Sequence, residues 1–205
     1  MEVAIHGYRH ISLAVADGAL AAYDVVTDRR ELEKMFGGVI KGMAYANGSY
    51  NDSVVEILRQ CGIKYARTTI STEHFELPKD WLKLPATCHH NHPRLMELAK
   101  EFVEYKPSPH FWHNTLKMFY VWGHSYEFDD RDNWHVIEEF ADYISNREDV
   151  WYATNVEIYD YLRDADRLEI SADWETVYNP TTTPIYVRCS GKDSIVNPGE
   201  MIKIV

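Results

Sequence analysis

The chain has 205 residues, a length that allows one domain or one domain with a small appendage and excludes a long repeat array. With 45% apolar, 13% aromatic and 26% charged residues it has ample material for a buried core, which excludes wholesale disorder. Its 21 Lys and Arg stand against 32 Asp and Glu, a net charge of −11 with no basic block to grip phosphates, so nucleic acid is not an expected partner. No run of about 18 apolar residues occurs, so no membrane helix is expected. The start, Met1 to His6, lacks the basic and apolar regions of a secretory signal, and the expected location is cytoplasmic. Cys61, Cys88 and Cys189 lie far apart, fit no paired metal spacing and are expected to be reduced.

Short apolar runs alternate with helical patterns through the first part of the chain, the mark of parallel strands linked by crossover helices. Val3 to Ile5 is a predicted strand. After Asp17-Gly18 a helix should carry Ala21, Val25, Leu32 and Phe36 on one stripe and end at Gly37-Gly38. Gly42 to Tyr45 is the next strand. A helix capped by Asn51 or Asp52, with Val54, Val55 and Leu58 inward, stops at Gly62 before a strand at Ile63 to Arg67. Leu84 to Cys88 is a fourth strand, and Pro93 suits the start of a helix burying Leu95, Leu98, Phe102 and Val103.

Met118 to Trp122 is a continuous apolar run of the kind a doubly covered parallel strand needs. A helix marked by Trp134, Ile137, Ala141 and Ile144 follows, then a sixth strand at Val150 to Ala153. Thr154-Asn155-Val156-Glu157 reads as a capping box opening one more helix. From Arg167 the apolar period changes to two, with turns at Asn179-Pro180, Gly191 and Asn197-Pro198-Gly199. That pattern predicts an antiparallel β appendage over 166–205, beside a βα-type domain over 1–165.

In a parallel barrel, function sits at the C-terminal strand ends. Six histidines fall there: His6 and His10 after the first strand, His89, His90 and His92 after the fourth, and His124 after the fifth. His6-Gly7-Tyr8-Arg9-His10 is an H-x3-H pair whose imidazoles suit a metal such as zinc, nickel or cobalt, although two polar loop residues would read the same way. His89 or His90 could face a substrate pocket or be a hydrogen-bonded core residue. His124 could be a general acid, or a histidine fixed by Glu127 or Asp129 for structural reasons. The turn Ala44 to Asn51 could offer a backbone amide to an oxyanion, or be a plain βα turn.

Taken in order, these segments resemble the polysaccharide deacetylase superfamily, carbohydrate esterase family four. His6 to His10 resembles its H-x3-H metal motif, Gly42 to Asn51 its third motif, and Trp122-Gly123-His124 its last, where a strand-end histidine is the general acid. The resemblance implies an α/β fold: an incomplete (β/α) barrel of polysaccharide-deacetylase type with a C-terminal antiparallel β appendage. It implies metal-dependent hydrolysis of an N- or O-acetyl group on a carbohydrate, with zinc the expected metal. His6 and His10 would hold the metal, the Asn47 amide would help bind the oxyanion beside Tyr45 and His90, and His124 would protonate the leaving group. In the family an Asp completes the metal site and an adjacent Asp is the base, both on a strand before the H-x3-H. Five residues precede His6 here and the Asp pair is absent, so a weakly held metal and little or no turnover are expected. Ala44, Ala46 and Asn47 also depart from the third motif, and no fourth motif is visible to tune His124. The alternative is a non-catalytic carbohydrate-binding or scaffolding protein. A barrel lacking its first βα unit exposes strand edges, so a homo-oligomer is expected.

Overall fold

A computed structural model describes residues 1–106 and 115–204, so Val205, the last residue of the expected appendage, lies outside the described residues. The chain divides into two compact units, residues 3–152 and residues 1–2 with 153–205. The division therefore falls at 152/153, not at 165, and the capping-box helix goes with the C-terminal strands.

In the larger unit, Asp17 accepts a hydrogen bond from the Leu20 amide and starts α1 (Gly18–Phe36), which ends at Gly37. Ala21, Asp24, Val25 and Thr27 are its buried residues, whereas Phe36, expected on the apolar stripe, is exposed at the helix end. Strand β1 (Gly42–Ala44) leads to α2 (Asp52–Gln60), whose N-cap is Asn51, accepting from the Val54 amide. Such a cap contributes about 1 kcal/mol. Val54, Val55 and Leu58 face inward as their spacing predicts. Strand β2 (Tyr65–Ser71) then pairs parallel with β1, Gly42 opposite Tyr65 and Ala44 opposite Arg67. Gly42 is needed for that pairing, because a Cβ there would run into the Tyr65 ring.

The apolar run 84–88 is one extended segment with two partners. Its first part, β3 (Leu84–Ala86), pairs parallel with β2, and its second, β4 (Cys88–His89), pairs parallel with β5 (Val121–Trp122). Thr87 makes the switch. Its amide donates to the Tyr120 carbonyl at 2.8 Å, and its hydroxyl accepts from the Tyr120 amide at 3.0 Å. Between β4 and β5 lies α3 (Leu95–Val103), with Leu95, Leu98 and Ala99 buried. After β5 come α4 (Tyr126–Arg131) and α5 (Trp134–Ile144). Val136 and Phe140 of α5 pack on the Cys88, Leu95 and Leu98 cluster, so the inward stripe is displaced from the expected one and Trp134 and Ala141 are exposed.

Three expectations about strands are corrected. Val3 to Ile5 contributes a single parallel bridge, Ile5 opposite Met43, because the next two amides, of His6 and Gly7, turn to the Asp28 carboxylate instead of a strand. Met118 to Trp122 is a strand only at Val121–Trp122, since the Met118 amide is taken by the Phe75 carbonyl. Val150 to Ala153 is not a strand, and Trp151 and Tyr152 are exposed. The parallel strands form a three-stranded sheet, β1-β2-β3, and a two-stranded one, β4-β5, with no closed barrel among the described residues. The architecture is mixed α/β. Its core includes Ile5, Leu13, Val25, Met43, Tyr45 and Leu58, each burial contributing roughly 1.5–3 kcal/mol against exposure.

In the smaller unit, α6 (Asn155–Ala165) opens with the predicted capping box of Thr154 and Glu157. Strands β6 (Glu169–Ile170), β7 (Thr176–Tyr178) and, from the chain's end, β10 (Met201–Lys203) form an antiparallel sheet in the order β10-β7-β6. Strands β8 (Ile185–Cys189) and β9 (Lys192–Val196) form a hairpin on Ser190-Gly191, both at positive φ as a two-residue turn of this twist requires. Buried Asn179 ties the turns together. Its side chain donates to the Thr183 and Val196 carbonyls and accepts from the Thr181 amide and hydroxyl. The antiparallel C-terminal sheets match the expected appendage.

Candidate functional site

The histidines lie at or beyond the C-terminal ends of the parallel elements of the larger unit. His6 follows the Ile5 bridge, and its Nδ1 lies 2.7 Å from the Ala44 carbonyl at the end of β1. Nδ1–H donates there, which leaves Nε2 with the free lone pair. The His10 ring stands edge-on to His6 with centroids 4.8 Å apart, so the H-x3-H pair is brought together, in a loop and not on a helical turn. Two acids of α1, four residues apart, hold this loop. Asp28 accepts from the His6 and Gly7 amides, both at 2.8 Å, and buried Asp24 accepts from the Arg9 amide at 3.1 Å and its Nε at 3.2 Å. The second Asp24 oxygen is buried with no partner and packs beside Gly7.

The third-motif segment forms a short turn after β1. Asn47 is exposed, sits at φ 55°, and its side-chain amide donates to the Ser12 hydroxyl at 3.3 Å. Tyr45 is a correction. Its ring is buried and stacked on Tyr50, and its hydroxyl donates to the Leu82 carbonyl at 2.7 Å, so it is a core residue that does not face a substrate. Burial pushes that phenol well above its ordinary range.

A second constellation surrounds Glu127 on α4. Its Oε1 lies 2.7 Å from His124 Nδ1 and 3.4 Å from His89 Nε2. Its Oε2 accepts from the Asn91 side-chain amide at 2.9 Å and faces Arg131 at 3.4 Å and His90 Nε2 at 3.6 Å. The Asn91 amide also reaches His90 Nε2 at 2.7 Å, and Asn133 donates to the Asn91 carbonyl oxygen at 3.1 Å. His90 is buried against Phe128, and its ring occupies the space a side chain at Gly123 would fill. That close approach is what Gly123 permits. Burial pushes His89 and His90 below the ordinary imidazole range, the charge of Glu127 opposing it. The His124 hydrogen bond, together with nearby imidazoles and Arg131, holds Glu127 below the ordinary carboxylate range. His124 is 42% exposed, so it is the member a substrate can reach.

Zinc, the metal implied by the resemblance, needs at least a third protein ligand beside His6 and His10, and among the described residues no His, Cys, Asp or Glu groups with them in ligand geometry. That pair does not complete the site. The one set of three among the described residues is His89, His124 and Glu127, with ligand atoms within 4.8 Å of one another. Its donors are engaged with each other, and the Asn91 backbone amide donates to His89 Nδ1 at 3.2 Å, which places the ring proton on Nε2 toward Glu127. As arranged it is a hydrogen-bonded cluster, and a metal would have to displace that proton.

Of the sequence-derived site residues, the structure pairs His6 with His10 and gathers His90 and His124 around Glu127. Sequence reasoning missed Arg67, Asn91, Asp24 and Asp28. The two α1 acids had a signal, since 24 and 28 interrupt the stripe of Ala21 and Val25 with carboxylates.

Residues 1–66 match the family model for polysaccharide deacetylase, and that segment is similar to the polysaccharide deacetylase superfamily. No curated protein matches the sequence. Among solved structures, a Mycobacterium smegmatis protein designated a polysaccharide deacetylase is 20% identical, with 80% of this chain and 64% of that one covered at a TM-score of 0.49. The Streptococcus pyogenes deacetylase PplD, in complex with acetate, is 24% identical over 32% of this chain and 29% of that one, TM-score 0.32. A 4-alpha-glucanotransferase from Thermococcus litoralis is 19% identical over 76% and 28%, TM-score 0.48. The chain thus spans less than two thirds of each of these proteins, and at these identities and TM-scores the likenesses assign it no activity.

Proposed function

We propose that this chain is polysaccharide deacetylase-like and acts on acetylated carbohydrate, with an assembled proton-donor arm and an incomplete metal arm. The observation that carries the reading is the His124–Glu127 pair, 2.7 Å apart just beyond β5. Glu127 fixes the His124 ring with Nδ1–H toward the carboxylate and stabilises the imidazolium, so that Nε2 can protonate a departing amine or alkoxide as the acyl–N or acyl–O bond breaks. Asn91 and Arg131 hold the other Glu127 oxygen, which keeps the carboxylate from rotating away. The Asn47 amide, in its tight turn, is the candidate donor to the oxyanion. His6 and His10 contribute two imidazoles, and no third ligand or base groups with them among the described residues. Turnover by this chain alone is therefore weak or absent. The short, separate sheets leave strand edges that favour self-association.

The test is to fuse an N-terminal strand and helix bearing an adjacent Asp pair to this chain and assay deacetylation of chito-oligosaccharides. Turnover should appear, and His124→Ala should remove most of it. Turnover indifferent to His124→Ala would contradict the assignment of the acid.

A further inference from the structure

Arg67 is a part-buried cation of the larger unit that no carboxylate among the described residues meets. It sits on β2 across the ladder from Ala44, half-buried, and its Nη1 donates to the carbonyl of the adjacent Thr68 at 3.3 Å. Arg9, Arg29, Arg59, Arg94 and Arg131 each hold a carboxylate, and Arg147 caps the Tyr143 carbonyl near the end of α5. Among the described residues no carboxylate reaches Arg67. Residues 107–114 include no Asp or Glu. A part-buried cation without an anion keeps a desolvation cost, which contact with an aromatic face and one carbonyl offsets only in part.

The guanidinium is also held in position. Its carbon lies 4.2 Å from the centre of the Trp122 ring, which fixes the cation over the indole face. Trp122 touches His89 edge-on at 4.6 Å between centroids and His124 at 5.9 Å, so Arg67 belongs to the same wall as the proposed proton donor. Stacking leaves the in-plane N–H edge of a guanidinium available, and that fork matches the two oxygens of a carboxylate. A phosphate site usually gathers several donors at a helix start or a nest, whereas a single fork suits a carboxylate.

We propose that Arg67, seated on Trp122, is a carboxylate-binding subsite beside His124. Two sources share that chemistry: the carboxylate of a uronic acid residue in the carbohydrate, and the acetate that deacetylation releases. The carbohydrate source rests on the function proposed above, while binding itself is measured without turnover, so either can fail alone.

The experiment is an NMR titration of the full chain with sodium glucuronate, sodium acetate and glucose at low and matched ionic strength. Glucuronate should bind the wild type at least tenfold more tightly than glucose. Arg67→Gln should bring glucuronate to the level of glucose, and Arg67→Lys should lose most of the gain, because an ammonium lacks the fork. Arg59→Gln makes the same charge change on exposed α2 and should leave glucuronate affinity as in wild type. Acetate binding as tightly as glucuronate assigns the subsite to the product, and glucuronate alone assigns it to the sugar. Glucuronate and glucose of equal affinity, or a gain that survives in both Arg67 variants, would overturn the proposal. If Arg67→Gln does not fold, Arg67→Lys decides.

Discussion

His124 and Glu127, three residues apart across the start of α4, share a 2.7 Å hydrogen bond in which the imidazole Nδ1–H donates to the carboxylate Oε1. The other oxygen is committed to Asn91 and Arg131, so the two halves of one carboxylate do different things. One orients the exposed histidine. The other ties α4 to the loop after β4.

That arrangement fixes the sign of the pH dependence of stability. His89 and His90 titrate below the usual imidazole value when folded, so the unfolded chain takes up their protons first. Stability present above the unfolded value of about 6.5 is therefore lost as pH falls below it. Glu127 is depressed as well and adds a second loss as pH falls below its unfolded value of about 4.3. Urea midpoints at pH 7.5, 5.5 and 4 should decrease in that order, and His90→Gln should flatten the first step. A midpoint that rises from pH 7.5 to 5.5 would contradict the burial of these rings as neutral species.

Gly123→Ala tests the packing of His90 directly. The new methyl group would occupy the position of the His90 ring, so ring or backbone must move. The expected cost is about 1–3 kcal/mol, read as a lower denaturation midpoint, with the His90 resonances shifted by NMR. Wild-type stability and unshifted His90 resonances would mean that Gly123 and His90 do not meet.

Zinc affinity separates the two donor sets. With two imidazoles and no carboxylate at His6 and His10, calorimetry should find no sub-micromolar zinc binding. Tight binding lost in His6→Ala would show that a third ligand completes that pair. Tight binding that survives His6→Ala and disappears in Glu127→Gln would place the ion among His89, His124 and Glu127.

How much of this was legible in the sequence depends on the range of the interaction involved. Thr154 caps its helix as read, Asn51 is the one of the two offered residues that caps α2, and α1 starts after Asp17 as read, because a cap is a contact three residues long. That His6 and His10 lie together and that His124 follows a strand end was legible from where they fall after the apolar runs. Tyr45 was not. Its role is set by Leu82, 37 residues away, and no local pattern distinguishes a stacked core tyrosine from one lining a cleft. Val150 to Ala153 has the composition of a strand, but Trp151 and Tyr152 are exposed and no neighbouring edge pairs with it in the described structure. Arg67 and Asn91 matter only through partners on other elements, Trp122 and Glu127.

An assembled acid without an assembled metal arm is tested most directly by a deacetylation assay on the unmodified 205-residue chain. Acetate release from chito-oligosaccharides would be followed with added zinc or cobalt. General-base assistance is typically worth ~10²- to 10⁴-fold, and its absence together with an incomplete metal site should leave release at the uncatalysed background. Release at ordinary enzymatic rates, abolished by His6→Ala and by His124→Ala, would show that another group of this chain serves as base and metal ligand, and would contradict the account.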